Sequence, residues 1–377
     1  MRKTSVTFRN GRIFDGKSLH KSRAVHFEGG RFDGFRPEAE LTKSKQDIDL
    51  GGDILFPGFV DLQVNGGDGI LFNADPSTET LQRIANAHRR LGVTAFLPTL
   101  ISDTRDKTCA AIAAVVEAIS DGIPGVAGLH LEGPHLSTQR KGAHDATLIR
   151  KMETEDFEIL LAAVEVLPLL KVTIAPESVT ESQVSALASA GVLVSLGHSD
   201  ADSATCLRFI TAGARCVTHL FNGMSQLGNR NPGLVGAALS RAEVHAGLIA
   251  DAVHVHPDTM RAAWNAKIGP GKIFLVSDAM AVAGTDATEF ELGGRLIRRH
   301  EGALKLSDGT LAGADLDLAT AVQVMVNEVG VDFAEALKAA TLIPATMIGH
   351  DYRFDWISDV VRLSVDTGCV KPTTSIN

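Results

Sequence analysis

Eight short apolar runs, each parted from the next by a longer polar-and-apolar stretch, constrain the fold of this chain more than any other feature. They are FVDLQV at 59–64, TAFLPTL at 94–100, VAGLHLEG at 126–133, KVTIAPE at 171–177, VLVSLGH at 192–198, CVTHLF at 216–221, HAGLIAD at 245–251 and KIFLVSDA at 272–279. Runs of this length, apolar on both faces, suit parallel strands covered by helices. Helices are legible between them as ETLQRIANAHRRLG from Glu79, SATCLRFITAG from Ser203 and PDTMRAAWNAK from Pro257, with apolar residues three and four apart. Eight such units in series predict a (β/α)8 barrel. A doubly wound sheet is the poorer fit, because neither GxGxxG nor GxxxxGK[ST] follows any of the runs.

The flanks read differently. Before Phe56 the chain alternates β-prone SVTF, GRIF and AVHF with Gly and Asp turn signals and contains no amphipathic helix. After the eighth run comes a β-rich stretch from Glu289 to Leu311, then two helical stretches, LDLATAVQVMVNEV and DFAEALKAATLIPATMIG. The tail FDWISDVVRLSVD is strand-like again and can return to the N-terminal segment. The expected fold is therefore α/β: a catalytic TIM-like barrel over 56–346 and a small accessory β-sandwich from 1–55 plus about 347–377.

Charge narrows the partners. Lys and Arg total 36 against 45 Asp and Glu, a formal net charge of -9, the wrong sign for a phosphate-backbone binder. Nucleic acid is excluded on that ground, while a small anionic substrate is compatible with a few cations gathered in a cleft. Cys109, Cys206, Cys216 and Cys369 have no CxxC spacing and read as free thiols. The basic start MRKTSVTFRNGRIFDG runs into polar residues, and no stretch reaches transmembrane length, so a cytoplasmic protein without a membrane partner is expected.

In a parallel barrel, reactive groups collect where strands end. Five of the eight strands end in polar residues: Asp61, Gln63 and Asn65 on the first, Glu132 on the third, His198 on the fifth, His219 on the sixth and Asp278 on the eighth. A lone histidine is more often structural. Glu132, His198 and His219 together, each from a different strand end, form a two-His, one-carboxylate set suited to a divalent metal with open positions for water and substrate. Asp278, after the apolar IFLVS, is the candidate general base for a water activated there. His144, in the loop KGAHD, can donate to a carbonyl oxygen, and Asn222, Arg230 and His254 offer donors and charge for a phosphate.

These residues lie in PGFVDLQVNGGDG, HLEGPHL with KGAH, SLGHSDA, THLFNGM, GNRNPGLVG, DAVHV and SDAM, and in them the chain resembles the N-acetylglucosamine-6-phosphate deacetylase family from Pro57 to about Gly313. The wider amidohydrolase superfamily ends its first strand in His-x-His, which binds one metal of a binuclear site; here that slot is Gln63-Val64-Asn65. No lysine ends the fourth strand, where binuclear relatives carry a carbamylated one; Glu177 is near there. The resemblance implies one divalent ion per subunit, Zn2+ or alternatively Fe2+, on Glu132, His198 and His219, with Asp278 as acid/base and His144 as carbonyl polariser. It also implies Gln63, Asn65, His144, Asn222, Gly223, Arg230 and His254 around the substrate, with Arg230 reaching in from the partner of a homodimer. Two features depart from the family pattern. Gly223 stands where Ala is common, and HDYRFDWISDVVRLSVD replaces the usual Pro-Gly-x-x-Ala-Asp segment.

The implied reaction is hydrolysis of N-acetylglucosamine 6-phosphate to glucosamine 6-phosphate and acetate in amino-sugar catabolism. The alternatives are another acetylated amino-sugar phosphate, such as N-acetylgalactosamine 6-phosphate, and a catalytically inactive barrel used for binding.

Overall fold

The computed structural model describes residues 5–40, 47–371 and 373, so 1–4, 41–46, 372 and 374–377 of the expected accessory domain lie outside the described residues. Eight parallel strands form one sheet, each beside its sequence neighbours: β1 (Phe59–Val64), β2 (Val93–Ile101), β3 (Leu129–Glu132), β4 (Leu170–Ile174), β5 (Leu193–Leu196), β6 (Cys216–Val217), β7 (His245–Leu248) and β8 (Ile273–Leu275). The ring closes at its C-terminal end, where Val64 bridges Ala279 in parallel. Backbone bonds seal that seam, among them Asn65 N–H to Ala279 O at 2.9 Å and Asp278 N–H to Gln63 O at 3.1 Å. The (β/α)8 barrel expected from the eight runs is thus the fold, and its closing seam passes through three of the candidate site residues.

The three legible helices form as Thr78–Arg90, Ser203–Ala212 and Pro257–Ala266. Their starts have local causes. The Ser77 hydroxyl accepts from Thr80 N–H and the Asp202 carboxylate from Thr205 N–H, each filling one of the orphan donors of a first turn. The Gly233–Ser240 helix carries no polar stripe, because GLVGAALS is almost wholly buried, so periodicity does not reveal it. The stretch 332–349 splits into Phe333–Ala339 and Leu342–Met347. Pro344 accounts for the break, since it lacks an N–H and fits only the opening turn of the second piece.

The β-rich stretch becomes a four-stranded antiparallel flap of Glu289–Leu292, Arg295–His300, Ala303–Lys305 and Leu311–Ala314. Leu292, Ile297 and Leu304 pack it onto Leu71, Met280 and Val282 at the barrel mouth. The two termini build a second body. One sheet holds Ser5–Arg9, Arg23–Glu28, Arg31–Pro37 and Asp47–Asp49; the other runs through Leu19–His20, Arg12–Phe14, Ile54–Phe56, Val361–Leu363 and Val370–Lys371. The unusual tail supplies that second sheet's closing strands, with Val361 opposite Phe56 and Leu363 opposite Ile54. Phe354, just before them, is buried against Phe32 and Phe35 with ring centroids 5.6 Å from each.

Besides that strand pairing, Asp53 ties the tail to the first sixty residues: it is buried and accepts from Arg362 Nε at 2.6 Å, Lys371 Nζ at 3.1 Å and Val365 N–H at 3.2 Å. Replacing it leaves two cations and an amide without their shared acceptor. Asp53→Ala should lower the folding free energy by about 1.5–3 kcal/mol and expose the segment after Val360 to limited proteolysis, with metal content unaltered. Unchanged melting and an uncut tail would show that the strand pairing alone holds it.

Candidate metal centre and active site

Glu132 is the last residue of β3; His198 and His219 sit two residues beyond the ends of β5 and β6, and Asp278 three beyond the end of β8. All three of the latter turn through the left-handed region, with φ of 46° at His198, 30° at His219 and 50° at Asp278. A non-glycine residue there is strained, by about 1–3 kcal/mol each, and such strain gathers where side-chain direction matters more than backbone comfort. The sharp turn swings each side chain over the barrel axis.

Three ligand atoms meet as a result. His219 Nε2 lies 2.9 Å and His198 Nε2 3.4 Å from Glu132 Oε1, and the two Nε2 atoms are 3.1 Å apart. All three residues are buried. His198 Nδ1 donates to Arg140 O at 2.7 Å, which leaves the Nε2 lone pair pointing into the triangle. Tetrahedral ligands held about 2.0–2.1 Å from a zinc-like ion are about 3.3 Å apart, so the observed edges fit such an ion with little movement. Two imidazoles and a carboxylate converging in a buried spot are a donor set that could hold a divalent metal.

Asp278 faces this triangle. Its Oδ1 accepts from Asn65 Nδ2 at 2.7 Å and Gln63 Nε2 at 3.1 Å. Gln63 Nε2 also lies 3.2 and 3.3 Å from the two Glu132 oxygens, so one amide spans both carboxylates. Burial raises the Asp278 carboxyl above its ordinary range, and Glu132 adds to this, whereas the Asn65 amide pulls it back. Glu132 moves the other way: burial opposes its charge, but the two imidazoles hold it well below the usual carboxylate range. His219 is lowered by burial, yet the neighbouring Glu132 carboxylate more than reverses that, and the net shift is upward. His144 is pushed down to about 3, first by burial and then by the nearby His198, so it is a neutral imidazole.

These groups share a cavity of about 230 Å³, lined among others by Asn65, Glu132, His144, His198, His219, Asn222, Gly223, His254 and Asp278. His254 donates from Nδ1 to Asp251 Oδ2 at 2.6 Å, which turns its other nitrogen away from Asp251. Gly223 has φ +59°, and a Cβ there would come within 3.0 Å of His198 Nδ1, so glycine suits this backbone. Gln63 is wholly buried behind the carboxylates and is not part of the lining. Arg230 is exposed on its loop and does not line the cavity of its own subunit.

Sequence reasoning missed the far wall, made by Ile101, Met280, Leu292, Thr310, Leu311 and Gly313. Most of it belongs to the flap, whose short strands give no sign that they will fold back over the barrel. It missed Ser102 and Asp251 too, although Ser102 ends the second strand and obeys the same strand-end rule that found the others.

The sequence model of the amidohydrolase family matches residues 54–354. The chain belongs to that family. As an amidohydrolase it is 43% identical over 310 residues to the N-acetylgalactosamine-6-phosphate deacetylase of Shewanella sp. (strain ANA-3), covering 82% of this chain and 78% of the relative. It is 34% identical over 344 residues to the N-acetylglucosamine-6-phosphate deacetylase of Haemophilus influenzae, covering 90% and 89%. The crystal structure of N-acetylglucosamine-6-phosphate deacetylase from Pasteurella multocida superimposes with a TM-score of 0.89 over 97% of each chain, at 31% identity. The family resemblance read from seven motifs is therefore correct, and the amidohydrolase lies in its amino-sugar-phosphate deacetylase branch.

The Asn65 bond to Asp278 yields a pH test of this amidohydrolase. That amide favours the ionised carboxylate, so removing it must let Asp278 protonate at higher pH. In Asn65→Ala the acidic limb of the kcat/KM profile should move upward by about one pH unit. A limb that stays in place would mean that another group sets it.

Proposed function

We propose that this enzyme hydrolyses the acetamide of an N-acetylated amino-sugar 6-phosphate, releasing acetate and the free amino sugar phosphate. The observation that carries this reading is the meeting of the Glu132, His198 and His219 ligand atoms with Asp278 and His144 in one cavity. The deacetylase relatives supply the substrate class. A divalent cation on the triangle, zinc in our reading and ferrous iron in the alternative, supplies Lewis acidity and makes water a stronger acid.

The protein groups account for the rest. Asp278 takes the proton from the attacking water and returns it to the departing amine as the carbon–nitrogen bond breaks. Neutral His144 donates to the carbonyl oxygen as negative charge develops there. Gln63 and Asn65 keep the Asp278 carboxylate oriented, while Asn222, Gly223 and His254 face the sugar phosphate. Arg230, exposed and off its own cavity, is suited to completing the site of a partner subunit, so we infer a homodimer. A charged phosphate ester does not cross a membrane unaided, which agrees with an enzyme that shares the cytoplasm with its substrate.

Of the two sugar epimers, the N-acetylglucosamine compound expected from the motifs has the H. influenzae relative at 34% identity behind it. The N-acetylgalactosamine compound is favoured by the relative at 43%. Acetate release from both 6-phosphates decides between them, and a chain that cleaves neither while holding its metal would be a binding barrel.

Asp278→Asn keeps size and hydrogen bonding but cannot accept a proton. Metal content should persist while kcat falls by about 10²–10⁴; loss of the metal would make Asp278 a ligand instead. Arg230→Ala and His254→Ala should each raise KM for the phosphorylated sugar far more than for its unphosphorylated counterpart, by about 1.5–3 kcal/mol per contact. Equal losses on both would remove these residues from phosphate recognition.

A further inference from the structure

His144 has two ring nitrogens, and its use to the enzyme depends on which one carries the hydrogen. Both polar groups of a single residue converge on Nδ1. The Ser102 hydroxyl is 2.8 Å from it, and the Ser102 backbone N–H donates to it at 3.3 Å. The second contact decides the matter, because a backbone N–H can only donate. A hydrogen on Nδ1 would set donor against donor between two buried residues. Nδ1 is therefore the acceptor, the hydroxyl donates to it as well, and the ring hydrogen sits on Nε2.

The surroundings fix this pair in place. Ser102 directly follows β2, and the Gly133 that follows the metal-ligand candidate Glu132 leaves the room its hydroxyl needs: a Cβ on Gly133 would fall 2.4 Å from Ser102 Oγ. On the other side of the loop the flap residue Arg295 donates to Ala143 O, immediately before His144. The ring itself stands edge-on to His198 with centroids 4.5 Å apart. Strand, metal-ligand turn and flap all meet at one imidazole.

We propose that Ser102 is the positioning residue that holds His144 in its Nε2–H form, so that the imidazole presents only a donor to the substrate and cannot act as the base. The proposal rests on the amide-hydrolase reading for the donor's purpose, but the tautomer itself does not. It takes His144 out of competition with Asp278 for the water's proton, and it assigns a role to the residue that directly follows the second strand.

The test separates the two ideas. With histidine-selective ¹⁵N labelling of the zinc-loaded protein, and His144→Gln to identify the signal, the His144 ring should show an unprotonated Nδ1 and a protonated Nε2. A protonated Nδ1 overturns the proposal whether or not any substrate is turned over. In the acetate assay, Ser102→Ala should lower kcat about tenfold or more with KM and metal content near wild type, and Ser102→Thr should recover most of the loss. A Gln amide reaches about as far as Nε2 and an Asn amide about as far as Nδ1. His144→Gln should accordingly retain at least about tenfold more kcat than His144→Asn; the reverse order would refute the assignment.

Discussion

One buried anion organises this molecule. The Glu132 carboxylate is almost sealed from solvent, and two imidazoles and the Gln63 amide converge on its oxygens. A carboxylate removed from water is expensive to maintain unless charge and donors surround it. Here they arrive from β1, β5 and β6, so the barrel can close correctly only if those strand ends point inward in register. The seam between β1 and β8 passes through Gln63 and Asp278, and fold and site are consequently one construction. A cation held there would complete what the carboxylate requires and would link metal affinity to folding stability.

Beneath that layer the barrel interior is unusually polar. His130 reaches Thr173 at 2.7 Å, Thr173 reaches Thr218 at 2.7 Å, and Thr218 reaches Ser195 at 2.6 Å, forming a chain across neighbouring strands. Lys171 is wholly buried beside it, its Nζ 3.5 Å from Leu62 O. Burial lowers its pKa, and burial raises that of Asp61 to about 7. Short hydroxyl side chains fill the space where aliphatic layers would normally pack, and they satisfy one another so that no member is stranded.

The barrel and the strand-end residues that gather at its mouth were legible because they obey rules that act locally. Apolar runs of strand length repeat eight times, and a polar residue ending an apolar strand has few reasons to be there except chemistry. Glu132, His198, His219 and Asp278 could be found that way without knowing a single contact. Ser102 obeyed the same rule and was overlooked, since serine at a strand end looks like a turn residue. The flap wall was not legible at all: Leu292, Leu311 and Gly313 carry no pattern that tells where a short antiparallel sheet will come to rest. Nor does the sequence reveal that Phe354, in an atypical tail, packs on two phenylalanines more than three hundred residues earlier. Contacts of that span are set by tertiary packing, which overrides local preference.

The left-handed turns at His198, His219 and Asp278 bear on how such a chain can change over generations. Glycine at any one of them relaxes the backbone and withdraws a buried polar group in the same step. At His198 and His219 the second effect works against the first, because losing an imidazole leaves the buried Glu132 carboxylate short of a partner. Drift toward an inert scaffold therefore meets resistance from the fold itself at the two histidines and least at Asp278, whose charge burial already disfavours.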